Sequence, residues 1–288
     1  YGHGSSGRTV GVFWHNSADT YVDIYDGKTS HFMSEGGILD VFVFLGPSPN
    51  EVFAQYTKIT GVASLPQLFT FANHQSRWSY MNQSQVLEIV DNFDKHDIPL
   101  DTMWLDIDYT DGMRYFTWNY TAFPSPLTMM NTLKSMGRHL VHIIDPHVKV
   151  DDNYTYYKEN QQRNFFVKTR NDSDFEGICW PGLSSYVDFF NTNARKFYAD
   201  QYLLENFPDS SVENGIWNDM NEPAVFEAPE KTFPRDAVHI GGIEHRLVHN
   251  AYGLMQTIGT YDGLMRRGEG KYRPFILTRS FFAGSQKY

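Results

Sequence analysis

The chain has 288 residues, 41% of them hydrophobic and 16% aromatic, with a formal net charge of −10 at pH 7. That much apolar material builds a sizeable core and excludes a disordered chain; the acidic balance, without any Lys/Arg-rich run, argues against a nucleic-acid or anionic-membrane partner and favours a neutral or cationic ligand. A lone cysteine, Cys179, excludes an internal disulfide and has no metal-ligand companion, and no run of about 18 apolar residues is present to span a membrane.

Residues 1 to about 46 read as β structure. Thr9 to Trp14 and Thr20 to Tyr25 flank the turn-like Asn16-Ser17-Ala18-Asp19, and Ile38 to Leu45 is a third apolar run. Gly2 to Gly7 matches G-x-G-x-x-G, but no strand precedes it and no helix follows, so it does not indicate nucleotide binding. From residue 66 the rhythm changes. Leu68 to Asn73, Met103 to Ile107, Leu140 to Ile144, Ile216 to Trp217 and Phe275 to Thr278 are strand candidates. Helical patterns separate them: Ser84 to Phe93 with Val86, Leu87, Val90 and Phe93 inward, Leu127 to Met136 ending at Gly137, and Val248 to Met265 with Ala251, Leu254, Met255 and Ile258 on one stripe.

Alternating strands and helices imply a parallel sheet. Asp106, Asp145, Asp219 and Arg279 each follow an apolar run at its carboxyl end, where a β/α barrel or an open α/β sheet places its site. Acids drawn from several strands, without a glycine fingerprint, favour the barrel. The expected fold class is α/β: a partial β/α barrel over 51–288 after the end of a separate β-rich domain over 1–50.

The stretch GIWNDMNEPAVF, residues 215–226, sets Asp219 and Glu222 beside a strand end. Either they form an active site or they cap a turn. Asp219 suits a nucleophile, because the strand delivers it directly, Asn218 and Asn221 flank it, and Arg279 is available to hold it ionised. Asp106 and Asp108 alternate, so only one of them is expected to serve the site, as a sugar-hydroxyl acceptor or in a structural ion pair. Asp145, His147 and His142 suggest a metal, but without a metal motif a hydrogen-bonded structural role is the expectation. Trp78, Trp180 and Trp217 adjoin polar turns and are sugar platforms or core.

Trp217-Asn218-Asp219-Met220-Asn221-Glu222-Pro223 resembles the nucleophile motif of family 31 glycoside hydrolases, the α-glucosidases. His74 to Trp78, Trp104 to Asp106, Asp145 to His147, Cys179 to Gly182 and Arg279 to Ser285 follow in that family's order, so the resemblance covers essentially the whole chain. Residues 145–151, 236–246 and 11–23 are most similar to the branch that trims N-glycans in the endoplasmic reticulum. The resemblance implies Asp219 as nucleophile, Asp106, Trp217, Met220 and Arg279 around the −1 sugar, Trp180 supporting that wall, and Trp78 towards the leaving sugar. It also implies α-1,3-glucose trimming from glycoproteins with retention and neither metal nor cofactor, in the lumen of the endoplasmic reticulum and beside a non-catalytic β subunit. Neutral α-glucosidases acting on α-1,4-glucans, other family 31 activities and a catalytically dead glycan-binding module are the alternatives. The resemblance further implies that 51–288 hold about five of the eight strands of a (β/α)8 TIM barrel and that 1–50 end a β-sandwich domain. The family's acid/base Asp lies on a Trp-x-Gly-Asp-Asn segment after the Arg-Ser-Phe-Phe motif, which this chain does not contain, so residues 1–288 alone are expected to be inactive. Four N-x-S/T sequons, at Asn82, Asn119, Asn153 and Asn171, agree with a secretory route.

Overall fold

The computed structural model describes residues 1–288. Five short strands open the chain: β1 (Gly2–His3), β2 (Thr9–Trp14), β3 (Thr20–Tyr25), β4 (Thr29–Ser34) and β5 (Val41–Phe44). β1, β2 and β5 form one antiparallel sheet, and β3 and β4 form a separate hairpin. Alternation along β2 turns Thr9 and Gly11 inward and leaves Val10 and Val12 exposed. The inward face is covered by α1 (Pro49–Thr60), whose start is set by the Ser48/Glu51 capping box with Pro49 as its first residue. Tyr56 of α1 meets Phe13 and Phe44 edge-on at 5.2 and 6.0 Å.

The remainder is α/β. In chain order it contains β6 (His74–Gln75), α2 (Gln83–Lys95), β7 (Thr102–Leu105), α3 (Pro126–Ser135), β8 (His139–Ile143), β9 (His147–Lys149) and α4 (Thr155–Gln162). There follow β10 (Glu176–Cys179), β11 (Gly182–Tyr186), α5 (Thr192–Asp200), β12 (Gly215–Asn218), β13 (Val238–His239), β14 (Ile243–Glu244), α6 (Tyr252–Arg267) and β15 (Ile276–Thr278). β6, β7, β8, β12 and β15 lie side by side in chain order as a parallel sheet, the curled half of a (β/α)8 barrel. β9, β10 and β11 form a small antiparallel sheet between β8 and α5. One cluster of 38 buried apolar residues runs from α2 through the sheet to α6 and includes the β9–β11 excursion.

Four sequence expectations shift. Leu68 to Asn73 is not a strand: Leu68–Phe71 form a 3-10 turn, and pairing with β7 begins only at His74. The apolar run is spent instead on packing beneath the sheet, where Phe69 stacks on His139 at 4.0 Å and meets Phe275 at 5.3 Å. β7 ends at Leu105, because Asp106 turns to cap a 3-10 turn over Ile107–Tyr109. The helices α1, α4 and α5 and the short strands β9–β11, β13 and β14 have no counterpart among the expected elements; α4 (TYYKENQQ) carries too little apolar contrast to show its period.

The fourth shift concerns α6, which starts at Tyr252 after two 3-10 turns and is buried along Gly253, Gln256, Thr257, Thr260, Gly263, Leu264 and Arg267. Met255 and Ile258 are only partly covered. A polar and glycine-rich face is buried because its partners are polar and close. Thr260 Oγ1 donates to Asn218 Oδ1 at 2.8 Å, and a Cβ on Gly263 would sit 2.7 Å from the Ala199 carbonyl of α5. Only glycine permits that approach.

Candidate active site

The carboxyl ends of the five parallel strands carry, in order across the sheet, Trp78, Asp106, Asp145, Asp219 and Arg279. Asp219 leaves β12 directly and is half-buried, with 14% of its side chain exposed. Arg279, delivered by β15, reaches it through Nε to Oδ1 at 3.2 Å and Nη1 to Oδ2 at 3.4 Å. The same guanidinium grips Glu222 with two bonds, Nε to Oε1 at 2.5 Å and Nη2 to Oε2 at 2.8 Å, and Nη2 also donates to Met220 Sδ at 3.1 Å. The bidentate geometry fixes the guanidinium plane. Glu222 is therefore the residue that aims Arg279. Met220 takes a left-handed conformation, φ 56°, uncommon for a residue with a side chain.

Asn218 and Asn221, expected to support Asp219, do not touch its carboxylate. Asn218 points the other way, its Nδ2 donating to the Ile144 carbonyl at 2.9 Å and its Oδ1 accepting from Thr260. Asn221 ties the loop to β15, with Nδ2 on Thr278 Oγ1 at 2.8 Å and Oδ1 accepting the Ser280 amide at 2.9 Å. Strand alternation and the following turn aim these amides at the scaffold. They lock the path from β12 to β15 on which the Asp219–Arg279 contact depends.

Asp106 and Asp108 both lie past the end of β7, so the alternation rule does not separate them. Asp106 Oδ1 accepts the Ile107 amide at 2.8 Å. Asp108 Oδ2 accepts the indole N–H of Trp78 at 2.9 Å and so joins the site as a support. Trp78 stacks beside Trp180, which lies in the β10–β11 turn, with ring centroids 6.5 Å apart; the two are 72% and 45% exposed. Phe226 meets Trp180 edge-on at 4.7 Å. Two adjacent exposed indoles held in place offer a flat apolar surface of the kind that sugar rings stack on. Trp217 is different: it packs against the core and meets Trp104 edge-on at 5.9 Å. An open cleft of about 690 Å³ borders Met220, Glu222, Phe226 and Arg279.

Burial raises the pKa of three strand-end carboxyls. For Asp219 burial is the main cause, opposed by Arg279 and by the Met220 amide. For Asp106 burial is again first, opposed by the Ile107 amide and reinforced by the charges of Asp108 and Asp219. Asp145 is completely buried and lifted furthest above the usual range; Asp219 and Asp106 add to that, while the Tyr115 hydroxyl it accepts from pulls the other way. Tyr115 comes from the long loop between β7 and α3 and also contacts His147 Nε2 at 3.2 Å. No sequence signal links Tyr115 to Asp145.

The imagined ligand set of His142, Asp145 and His147 does not converge. His142 Nδ1 meets the Tyr109 hydroxyl at 3.1 Å in the core, and burial pushes both histidines down to about 3. No group of three or more His, Cys, Asp or Glu is placed to hold a metal ion.

Asp145 yields a pH prediction. A carboxyl whose folded-state pKa is raised binds its proton more tightly in the native state, so its contribution is present below the unfolded value, ~3.9, and is lost as pH rises through the folded value. Asp145→Asn keeps an acceptor for Tyr115 and cannot ionise. The melting temperature of the wild type should therefore fall relative to Asp145→Asn as pH rises from about 4; parallel curves across that range would show that Asp145 is not held protonated.

Residues 63–288 match the description "Glycosyl hydrolases family 31 TIM-barrel domain". A probable glucan 1,3-alpha-glucosidase of Arabidopsis thaliana is 46% identical over 302 residues, spanning 99% of this chain and 33% of that protein. Neutral alpha-glucosidase C of Homo sapiens is 46% identical over 304 residues, spanning 98% of this chain and 33% of that protein. The solved ER glucosidase II heterodimeric complex, of catalytic subunit and binding domain of regulatory subunit, superposes with a TM-score of 0.92 at 43% identity, over 97% of this chain and 32% of that chain. The chain spans about a third of the length of the curated relatives it matches.

Proposed function

The chain belongs to glycoside hydrolase family 31, and from that premise we propose that the protein is a retaining α-glucosidase removing terminal α-1,3-linked glucose from N-linked high-mannose glycans. The observation that carries this reading is Asp219 at a strand end, held by Arg279, with Asp106 two strands away at the same edge of the sheet and the paired indoles of Trp78 and Trp180 nearby. Asp219 attacks the anomeric carbon and forms a glycosyl ester as the leaving sugar departs from the opposite face; water then attacks from that vacated face and releases the carboxylate, and the two inversions give retention. Arg279 keeps the attacking carboxylate ionised against the cost of its burial. Asp106 uses the oxygen not spent on the Ile107 amide to accept sugar hydroxyls. Trp217, Met220 and Trp180 wall the −1 sugar, and Trp78 stacks on the leaving sugar. Departure of the leaving oxygen requires a second, acidic carboxyl group.

The α-1,3 linkage and the endoplasmic reticulum lumen are supported by the names of the similar proteins, as is a non-catalytic regulatory subunit as partner. On the same reading residues 1–50 are the end of a β-sandwich domain and 51–288 the first part of the barrel. The test is to assay the full-length protein on α-1,3-glucosylated high-mannose glycan and on maltose, following the first-released anomer by NMR. The expected result is a higher kcat/KM on the glycan, with α-glucose released. Preference for maltose would establish a neutral α-glucosidase of α-1,4-glucans instead, and binding without turnover by the folded protein would establish a glycan-binding module.

A further inference from the structure

The four sequons differ sharply in what their side chains do. Asn82 is the N-cap of α2: its Oδ1 accepts the Gln85 amide at 2.8 Å and the Ser84 hydroxyl at 2.7 Å. Asn119 Oδ1 accepts the amides of Thr121 and Ala122, each at 3.2 Å, and so closes the turn after buried Trp118. At Asn153 the middle residue of the sequon is Tyr154, a buried side chain whose hydroxyl donates to the Tyr115 carbonyl at 2.8 Å, and Thr155 already begins α4. Glycosylation at Asn82 or Asn119 would place a bulky glycan on a carboxamide whose Oδ1 is already engaged in closing local structure.

Asn171 is free of such duties. Arg170, Asn171, Asp172 and Ser173 are all exposed, at the tip of a turn closed by the Thr169 amide on the Ser173 carbonyl at 2.8 Å. The turn is braced on either side by the Lys168–Asp174 bridge and by the Thr169 and Ser173 hydroxyls, 2.8 Å apart. The backbone amide of Asn171 is held by Thr169 Oγ1 at 3.3 Å, while its exposed carboxamide takes no part in the turn's hydrogen bonds. A bulky polar substituent there meets solvent and disturbs no packing.

We propose that Asn171 carries an N-linked glycan, so that the protein is itself a glycoprotein. This rests on the reading that the chain enters the endoplasmic reticulum lumen. The carboxamide Nδ2 forms the new bond to the anomeric carbon of a lipid-diphosphate-linked oligosaccharide, the anomeric carbon–phosphate oxygen bond breaks, the amide nitrogen gives up one proton, and the lipid diphosphate departs.

The test is to express the full-length protein in secretory-competent eukaryotic cells and release glycans with an amidase in heavy-oxygen water. Mass spectrometry then finds each occupied asparagine as a labelled aspartate, and protease protection of the chain in sealed microsomes reports its compartment. The expected result is a protected chain labelled at Asn171, whose glycan-dependent gel shift is lost in Asn171→Gln with no change in melting temperature. A protected chain that is unlabelled at Asn171, or labelled only at Asn82, Asn119 or Asn153, overturns this inference alone. A chain digested without detergent overturns it together with the assignment of compartment.

Discussion

Asp219→Ala in the full-length protein will leave a folded enzyme that turns over glucosides on the order of 10⁴- to 10⁶-fold more slowly, the range seen when a nucleophile is removed from a catalytic constellation. The contacts argue that the fold survives. The loop from β12 is locked by Asn218, Asn221 and Glu222, not by Asp219, whose partner Arg279 keeps its two bonds to Glu222. A small external anion such as azide then has room to attack the anomeric carbon from the vacated side. It should restore measurable rate on a substrate with an activated leaving group and give a product of inverted configuration. A folded Asp219→Ala enzyme with a normal rate would remove the nucleophile assignment, and loss of rate without anion rescue would favour a structural role.

Replacing Arg279 has the second largest expected effect, and its signature is a shift in pH dependence as well as a loss of rate. Burial raises the pKa of Asp219 and Arg279 is the main force opposing it, so Arg279→Gln lets the value rise further. The acid limb of kcat/KM must then move to higher pH. The fall in kcat/KM at the optimum should be on the order of 10²- to 10³-fold, as for loss of one oriented charge-stabilising donor. Arg279→Lys separates charge from geometry: an ammonium retains the Coulombic pull but cannot grip Glu222 with a fork while reaching Asp219. Its acid limb should stay near that of the wild type while kcat/KM still falls. The stability loss in either variant should be modest, ~1 kcal/mol, because Arg279 and Glu222 are 43% and 39% exposed. An unmoved acid limb in Arg279→Gln would mean that Arg279 serves substrate binding alone.

Much of the architecture is legible in the residues because its causes are local. The alternation of short β-branched and aromatic runs with helical stripes marked β7, β8, β12 and β15 within a residue or two, and the placement of Asp106, Asp145, Asp219 and Arg279 at strand ends follows from reading where each run stops. The failures were local contests that pattern alone does not settle. Leu68 to Asn73 has strand-like residues, yet the aromatic at Phe69 is drawn beneath the sheet by His139 and Phe275. Ser48 and Glu51 form a capping box that the sequence displays, and it starts α1 where no strong apolar stripe announces a helix. In α6 the buried face carries Gln256, Thr260 and three glycines, because it meets polar groups of β12 and the close-packed surface of α5, and no hydrophobic period reports such a partner.

The family, four of the five barrel strands and the choice of Asp219 as candidate nucleophile are legible in the sequence alone, since each depends on residue types and spacings within short segments. Tertiary structure decided the company each residue keeps. Arg279 reaches Asp219 across 60 residues, Asp108 holds Trp78 across 30, and Tyr115 finds Asp145 across 30. Such pairings depend on strand order and on the path of loops through space, which no local pattern encodes. The same limit explains the flanking asparagines: adjacency in sequence placed Asn218 and Asn221 beside Asp219, but the pleat of β12 and the turn after it aimed their amides at the scaffold.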